Sequence, residues 1–298
     1  NVNASITSGE IEVKNDVGNP IPVVGNVNVI GSANVALPET STDAFGRLRV
    51  SNPLTLFDNS FRYGDKPDTW DTALTGTAAA TYNNNTKVVG LGVLQNGDSV
   101  IRETKYCYTY QPGKSLLIMN TFCMADPVTG LRQRVGYFGS RNGVFLETND
   151  TTITFVIRKN ITGVVSDSER FDQSAWNGDR LNSLVPTPTC PSGIKLDLSK
   201  PQIFWIDIEW LGVGAVRCGF VIGGKFILCH TFYHANTGSI TGPYMGTASL
   251  PIRYEITATG SVAATMNQIC STVISEGGYE PQTRIQSIGM GVTTKNLT

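Results

Sequence analysis

From Asp43 onward the chain is divided into short apolar runs separated by turns that carry glycine, proline or asparagine, and this punctuation limits the fold more than any single residue does. Residues 116–119, 153–157, 203–210, 216–222, 225–232, 252–257 and 285–292 read as strands. Between them stand turn signals such as Asn96-Gly97-Asp98, Gln111-Pro112-Gly113, Asn142-Gly143 and Thr241-Gly242-Pro243. No long window sustains apolar residues at i, i+3, i+4 and i+7, so the helical period is missing. Many short strands with regular turns predict an all-β sandwich or jelly roll. Composition agrees. Charged residues make up 16% of the 298, against about 25% in typical soluble domains, and helical surfaces depend on Glu, Lys and Arg. A net charge of −1 removes the general electrostatic drive for nucleic-acid binding. No apolar run approaches the ~18 residues that a helical span requires, so membrane insertion is not expected.

Residues 1–42 differ from the rest. They contain no aromatic residue before the Phe45 region and few charges, and Gly18, Gly25 and Gly31 punctuate the degenerate repeat GNPIPVV, GNVNVI, GSANV. Val23, Val27 and Val29 are β-branched and spaced by polar residues. A flexible linker seldom carries so many β-branched side chains. Such a thin segment cannot bury its valines alone, so it is expected to be an extended β-rich arm that pairs with partner chains. The expected division is an arm over 1–42 and a sandwich over 43–298. At the junction, Arg47 and Arg49 project to one side of an extended segment and Leu48 and Val50 to the other. The two arginines suit a docking contact with carboxylates, and the same pattern also fits an ordinary amphipathic first strand.

The run 203–210 shows how one strand divides its residues. Phe204, Ile206, Ile208 and Trp210 fall on one face, the expected core, and Trp205, Asp207 and Glu209 on the other. An aromatic beside two carboxylates could hold a sugar, as could Tyr244 if it is exposed. Gly223-Gly224 predicts a two-residue hairpin loop that sets Ile222 opposite Lys225 and, counting back, Cys218 opposite Cys229. Opposed residues lie ~4.5–5.5 Å apart, within disulfide range, while two buried free thiols are the alternative. None of the six cysteines lies two to four residues from another, which argues against a zinc ribbon. His230 and His234, four apart on a strand, would be ~13 Å from each other and cannot share a metal. Gly212-Val213-Gly214 reads as a strand-to-strand turn, since no helix follows. No catalytic residue, metal site or cofactor is expected.

The run Trp205-Ile206-Asp207-Ile208-Glu209 resembles the Glu-x-Asp-x-Glu strand of concanavalin-like retaining glycoside hydrolases, with Trp205 where the first glutamate would stand. A retaining mechanism needs two carboxyl groups, so the departure argues against that activity. A broader resemblance is carried by DAFGRLRVSNPLTLFDNSFRYG (43–64), YQPGKSLLI (110–118), VGYFGSRNGVFLE (135–147), WIDIEWLGVGAVRCGFVI (205–222) and LPIRYEIT (250–257). Together these are similar to a module found in virion proteins of tailed bacteriophages, where it follows a variable N-terminal arm. The resemblance implies a concanavalin-like jelly roll in a non-enzymatic structural protein of the virion, assembled in the host cytoplasm. Its role would be capsid decoration, a head or tail fibre, or a baseplate appendage, in contact with capsid, tail or baseplate proteins. A homotrimer is expected by analogy with fibre proteins. The alternative is a receptor-binding adhesin that takes a host surface glycan on the face of Trp205, Asp207, Glu209 and Tyr244.

Overall fold

The computed structural model describes residues 52–237 and 241–281. Arm residues Val23, Val27 and Val29, junction residues Arg47 and Arg49, and the run 285–292 lie outside the described residues. The first half of the fold is β1 (Leu54–Ser60), β2 (Trp70–Thr75), β3 (Ala79–Asn83), β4 (Val88–Val93), β5 (Ser99–Thr104), β6 (Leu116–Cys123), β7 (Leu131–Phe138) and β8 (Gly143–Asn149). The second is β9 (Thr152–Lys159), β10 (Ser166–Asp172), a 3-10 turn at Gln173–Ala175, β11 (Gln202–Ile208), β12 (Val216–Ile222), β13 (Lys225–Phe232), β14 (Ile252–Ala258) and β15 (Ala264–Ser275). Every strand pair is antiparallel.

The strands form two sheets. One runs β13-β12-β11-β6-β15-β4-β3, with β1 also paired to β15, and the other runs β10-β9-β8-β7-β14-β5-β2. The chain passes between the layers from β4 to β5, from β6 to β7 and from β14 to β15, winding as a jelly roll. Alternation decides which side is buried. In β6 Leu116, Ile118, Asn120 and Phe122 are inside, and in β4 Val89, Leu91 and Val93.

Between the layers, Phe155 of β9 stacks on Trp176 at 4.3 Å and on Phe204 of β11 at 5.6 Å. Phe220 of β12 packs on Phe204 at 5.6 Å. Burying each of these side chains contributes about 1.5–3 kcal/mol. The Trp176 indole N–H donates to the Phe171 carbonyl at 3.0 Å, so the stack is held without an orphaned donor.

The β12–β13 hairpin begins as expected, with Gly223 and Gly224 both at positive φ (59° and 76°) and Ile222 opposite Lys225. The expected Cys218–Cys229 pairing is not found. Gly219 faces Leu228 and Cys218 faces His230, so Cys229 is the extra residue of a β-bulge. A glycine-glycine turn fixes the register only up to the first bulge. The bulge lets the consecutive residues Cys229 and His230 both be buried. Both cysteines are free buried thiols whose pKa values burial pushes up. His230 lies between Phe171 at 4.4 Å and Phe232 at 4.6 Å, and its Nδ1 accepts from the Asn177 N–H at 3.3 Å.

Burial pulls His230 down to about 4, against a smaller upward pull from Glu169. Its unfolded value is about 6.5, so as pH falls the unfolded chain takes the proton first and stability drops. The stabilisation is complete above pH ~6.5, and a loss on the order of 3 kcal/mol is expected between pH ~6.5 and ~4. Thermal melts from pH 7 to 4 should therefore fall less steeply for His230→Phe than for the parent; equal slopes would sink this assignment. Asp98, in the β4–β5 crossover, gives the opposite end of the acid limb. Its carboxylate accepts from the Thr77 hydroxyl at 2.6 Å and from the N–H groups of Thr77, Leu94 and Gln95 at 2.7, 2.9 and 3.2 Å. The Thr77 hydroxyl, with the backbone donors, holds it at about 2 despite burial. The charged form thus stabilises the fold above pH ~4, and that contribution is lost as pH falls to about 2. Asp98→Asn should melt earlier than the parent at pH 7, with the gap closing between pH 4 and 2.

Candidate functional site

On the side of β11–β12–β13 that faces away from the core, the register builds three cross-strand rows. Ile203, Val221 and Phe226 form the first, Trp205, Gly219 and Leu228 the second, and Asp207, Arg217 and Thr231 the third. The surface grades from apolar at the hairpin end to polar at the other.

Trp205 is on the expected side but is not open to solvent. Only 5% of it is exposed, because Gly219 opposite has no side chain and the indole settles over its backbone. A Cβ at Gly219 would lie 2.8 Å from the indole ring. Phe226, itself 58% exposed, closes over it at 5.7 Å. Trp205 is therefore a supporting floor, and its buried N–H has no hydrogen-bond partner. Tyr244 also departs from expectation. It is buried, with its ring stacked on His234 at 3.7 Å and 6° between planes, so it cannot meet a ligand.

Asp207 and Glu209 do come together, in a groove of about 510 Å³ lined by Ser115, Asp207, Glu209, Arg217, Thr231 and Tyr233 among others. Asp207 is buried and forms an ion pair with Arg217, its cross-strand neighbour, whose side chain is 57% exposed. Burial raises the Asp207 carboxyl above the usual range, opposed by Arg217 and reinforced by Glu276 and Glu209. Glu209 is exposed just past the end of β11, where its N–H donates to the Ala215 carbonyl. Tyr233 is 64% exposed and lines the same groove.

Arg217, Ser115 and Tyr233 were not among the residues that sequence reasoning selected. Arg217 and Tyr233 could have been found: the 203–210 and 216–222 runs form a hairpin that sets Arg217 opposite Asp207, and Tyr233 continues the alternation of Leu228 and Thr231 past the bulge. Ser115 carries no signal of its own, because it reaches the groove only through the β6–β11 pairing.

The histidines are structural supports. His234 is fully buried, with Nδ1 2.8 Å from the Gly214 carbonyl and Nε2 2.8 Å from Glu169. Burial raises the Glu169 carboxyl, but the His234 contact and Lys159 at 3.6 Å outweigh it and hold it low. These contacts tie β9, β10 and the Gly212–Gly214 turn together beside the groove. Among the described residues no group of three or more His, Cys, Asp and Glu side chains is arranged to hold a metal.

The chain matches no known family and no curated protein. Among solved structures it is similar to the receptor binding domain of botulinum neurotoxin D, at 9% identity and a TM-score of 0.42, over 76% of this chain and 50% of that one. It is also similar to the botulinum neurotoxin serotype C1 binding domain, at 12% identity and a TM-score of 0.38, over 68% of this chain and 43% of the other. A third similar structure comes from work on endo-acting O-glycanases that prominent members of the human gut microbiota express to initiate mucin breakdown. It shows 11% identity and a TM-score of 0.45, over 74% of this chain and 99% of the other. The chain spans about half the length of the toxin domains it matches.

Proposed function

We propose that this chain is a non-enzymatic component of a tailed-phage virion whose sandwich binds a host surface saccharide in the Asp207–Tyr233 groove. The observation that carries the binding part is the juxtaposition, in one groove, of an exposed tyrosine ring with a buried, ion-paired carboxylate. A sugar ring offers an apolar face to an aromatic and hydroxyls to charged or polar acceptors and donors; Tyr233 supplies the first, and Asp207, Glu209, Arg217, Ser115 and Thr231 the second. Two carboxylates against one guanidinium disfavour an acidic sugar here, so the ligand is a neutral or amino saccharide.

The non-enzymatic reading is supported by the state of Asp207. Its charge is engaged by Arg217, and Trp205 stands where a retaining hydrolase would carry its first glutamate. The virion reading rests on the similar runs, which fall on β1, β6, the β7–β8 hairpin, β11–β12 and β14. These are framework strands of both sheets. Low overall charge suits a surface that other subunits cover. The arm over 1–42 would supply docking and trimerisation through Val23, Val27 and Val29, with Arg47 and Arg49 fixing its exit.

An array of host-envelope saccharides should retain the parent protein, and Tyr233→Ala should bind about tenfold more weakly, a loss of about 1.4 kcal/mol, with an unchanged circular dichroism spectrum. No retained glycan, or equal binding by the variant, would sink the groove assignment. Mass photometry of the isolated full chain should show a three-chain particle; a folded, soluble monomer counts against the trimer.

A further inference from the structure

The second sheet carries a different surface on its outer side. There Arg134 of β7 pairs with Glu147 at 2.5 Å and with Glu255 at 3.3 Å, Arg253 with Glu103 at 2.9 Å and with Glu255, and Arg158 with Asp167 at 2.8 Å. Beneath them Phe138, Phe145 and Val156 form a small buried apolar cluster. The guanidinium groups of Arg134 and Arg158 lie over the Phe145 ring at 5.1 and 5.3 Å. Each carboxylate in this network is already engaged by an arginine.

Arg132 is the exception. It stands two residues before Arg134 on the same face of β7 and is partly exposed. Among the described residues it has no carboxylate within ion-pair distance. Burial, and then the adjacent Arg134 charge, push its pKa down, while Glu147 and Glu255 act at longer range in the other direction. A guanidinium beside a second guanidinium, with the local carboxylates occupied elsewhere, is an open anion position.

The neighbours of Arg132 say what kind of anion fits. The pairings set Thr75 opposite Ser99, Ser99 opposite Thr257, Thr257 opposite Arg132, Arg132 opposite Asn149, and Asn149 opposite Thr152. This is one continuous row across six strands, about 24 Å long at ~4.8 Å per strand. Apart from Arg132 it consists only of hydroxyl and amide side chains, and Thr75, Asn149 and Thr152 are exposed. Small inorganic anions would use Arg132 alone. A row of neutral donors and acceptors on both sides of it matches the hydroxyls of a sugar chain.

We propose that this row is a second carbohydrate-binding site, selective for acidic saccharides, in which Ser, Thr and Asn side chains hold sugar hydroxyls and the Arg132 guanidinium holds a carboxylate or sulfate. It is independent of the Tyr233 groove, on the opposite sheet and with the opposite charge preference.

The test is a glycan array bearing sialylated, uronic-acid, sulfated and neutral saccharides, followed by calorimetry on the strongest acidic binder with the full chain. The parent should retain acidic glycans, more weakly as salt is raised. R132Q should lose at least tenfold in affinity for them with its melting temperature unchanged. R132K, which keeps the charge and the stem but not the planar fork, should fall between the two. Tyr233→Ala should bind acidic glycans as the parent does, which separates failure of this site from failure of the groove. Equal acidic-glycan affinity for the parent, R132Q and R132K would overturn the proposal, as would a parent that retains no acidic glycan.

Discussion

The structure depends on the face-to-face burial of its two sheets, and the stack of Phe155 on Trp176 and Phe204 is part of that contact. Because every strand commits alternate residues to this interior, only the two outer faces remain for anything else the protein does. The outer faces then follow from the same alternation. On one, Ile206 and Ile208 point inward and leave Trp205 and Asp207 outside; on the other, Val135 and Tyr137 point inward and leave Arg134 and Gly136 outside. A residue's side of the sheet is fixed by the core, but its exposure is not.

That distinction explains what the sequence made legible. The hairpin strands Val216–Ile222 and Lys225–Phe232 have the bounds that their pattern predicts, since a Gly-Gly turn between β-branched and aromatic runs leaves little freedom. The runs at 116–119 and 153–157 mark real strands but are too short, because β6 and β9 continue through polar residues whose partners are non-local. β10, a polar edge strand, carries almost no apolar signal, and in β4 Gly90 and Gly92 alternate with Val89, Leu91 and Val93 and weaken the strand pattern. They are strands because neighbouring strands pair with them. β15 is built the same way: polar Asn267, Gln268, Ser271 and Thr272 sit in a strand that pairs with β6, β4 and β1.

The candidate site was legible to the same depth. Period-two alternation puts Asp207 and Glu209 on one side, and they do meet in the groove. It cannot say that Gly219 leaves a hollow opposite Trp205, nor that Phe226 covers it. It also cannot place Tyr244, which lies in an irregular segment and whose position is set by stacking on His234. The Cys218–Cys229 expectation failed for a related reason. One bulged residue shifts every later pairing of β13 by one position, and no local sequence signal marks the bulge.

Charge gives the two faces their different character. A chain with 23 basic and 24 acidic residues in 298 has little charge to distribute, yet Arg132, Arg134, Arg158, Arg170 and Arg253 share one sheet face. Holding such side chains out of water is costly unless each has a partner, and four of the five do. Of the paired arginines, Arg134, Arg158 and Arg253 lie over Phe138 or Phe145, so their guanidinium groups are held by ring contacts as well as by carboxylates. On the opposite face, the Asp207–Arg217 pair has an exposed arginine and lies near β13, the edge strand of its sheet among the described residues. Among the described residues one face thus holds its carboxylates in arginine pairs, with Arg132 outside them, and the other sets its carboxylates beside an exposed guanidinium. The two proposed saccharide preferences rest on that difference, with no change in the fold that supports them.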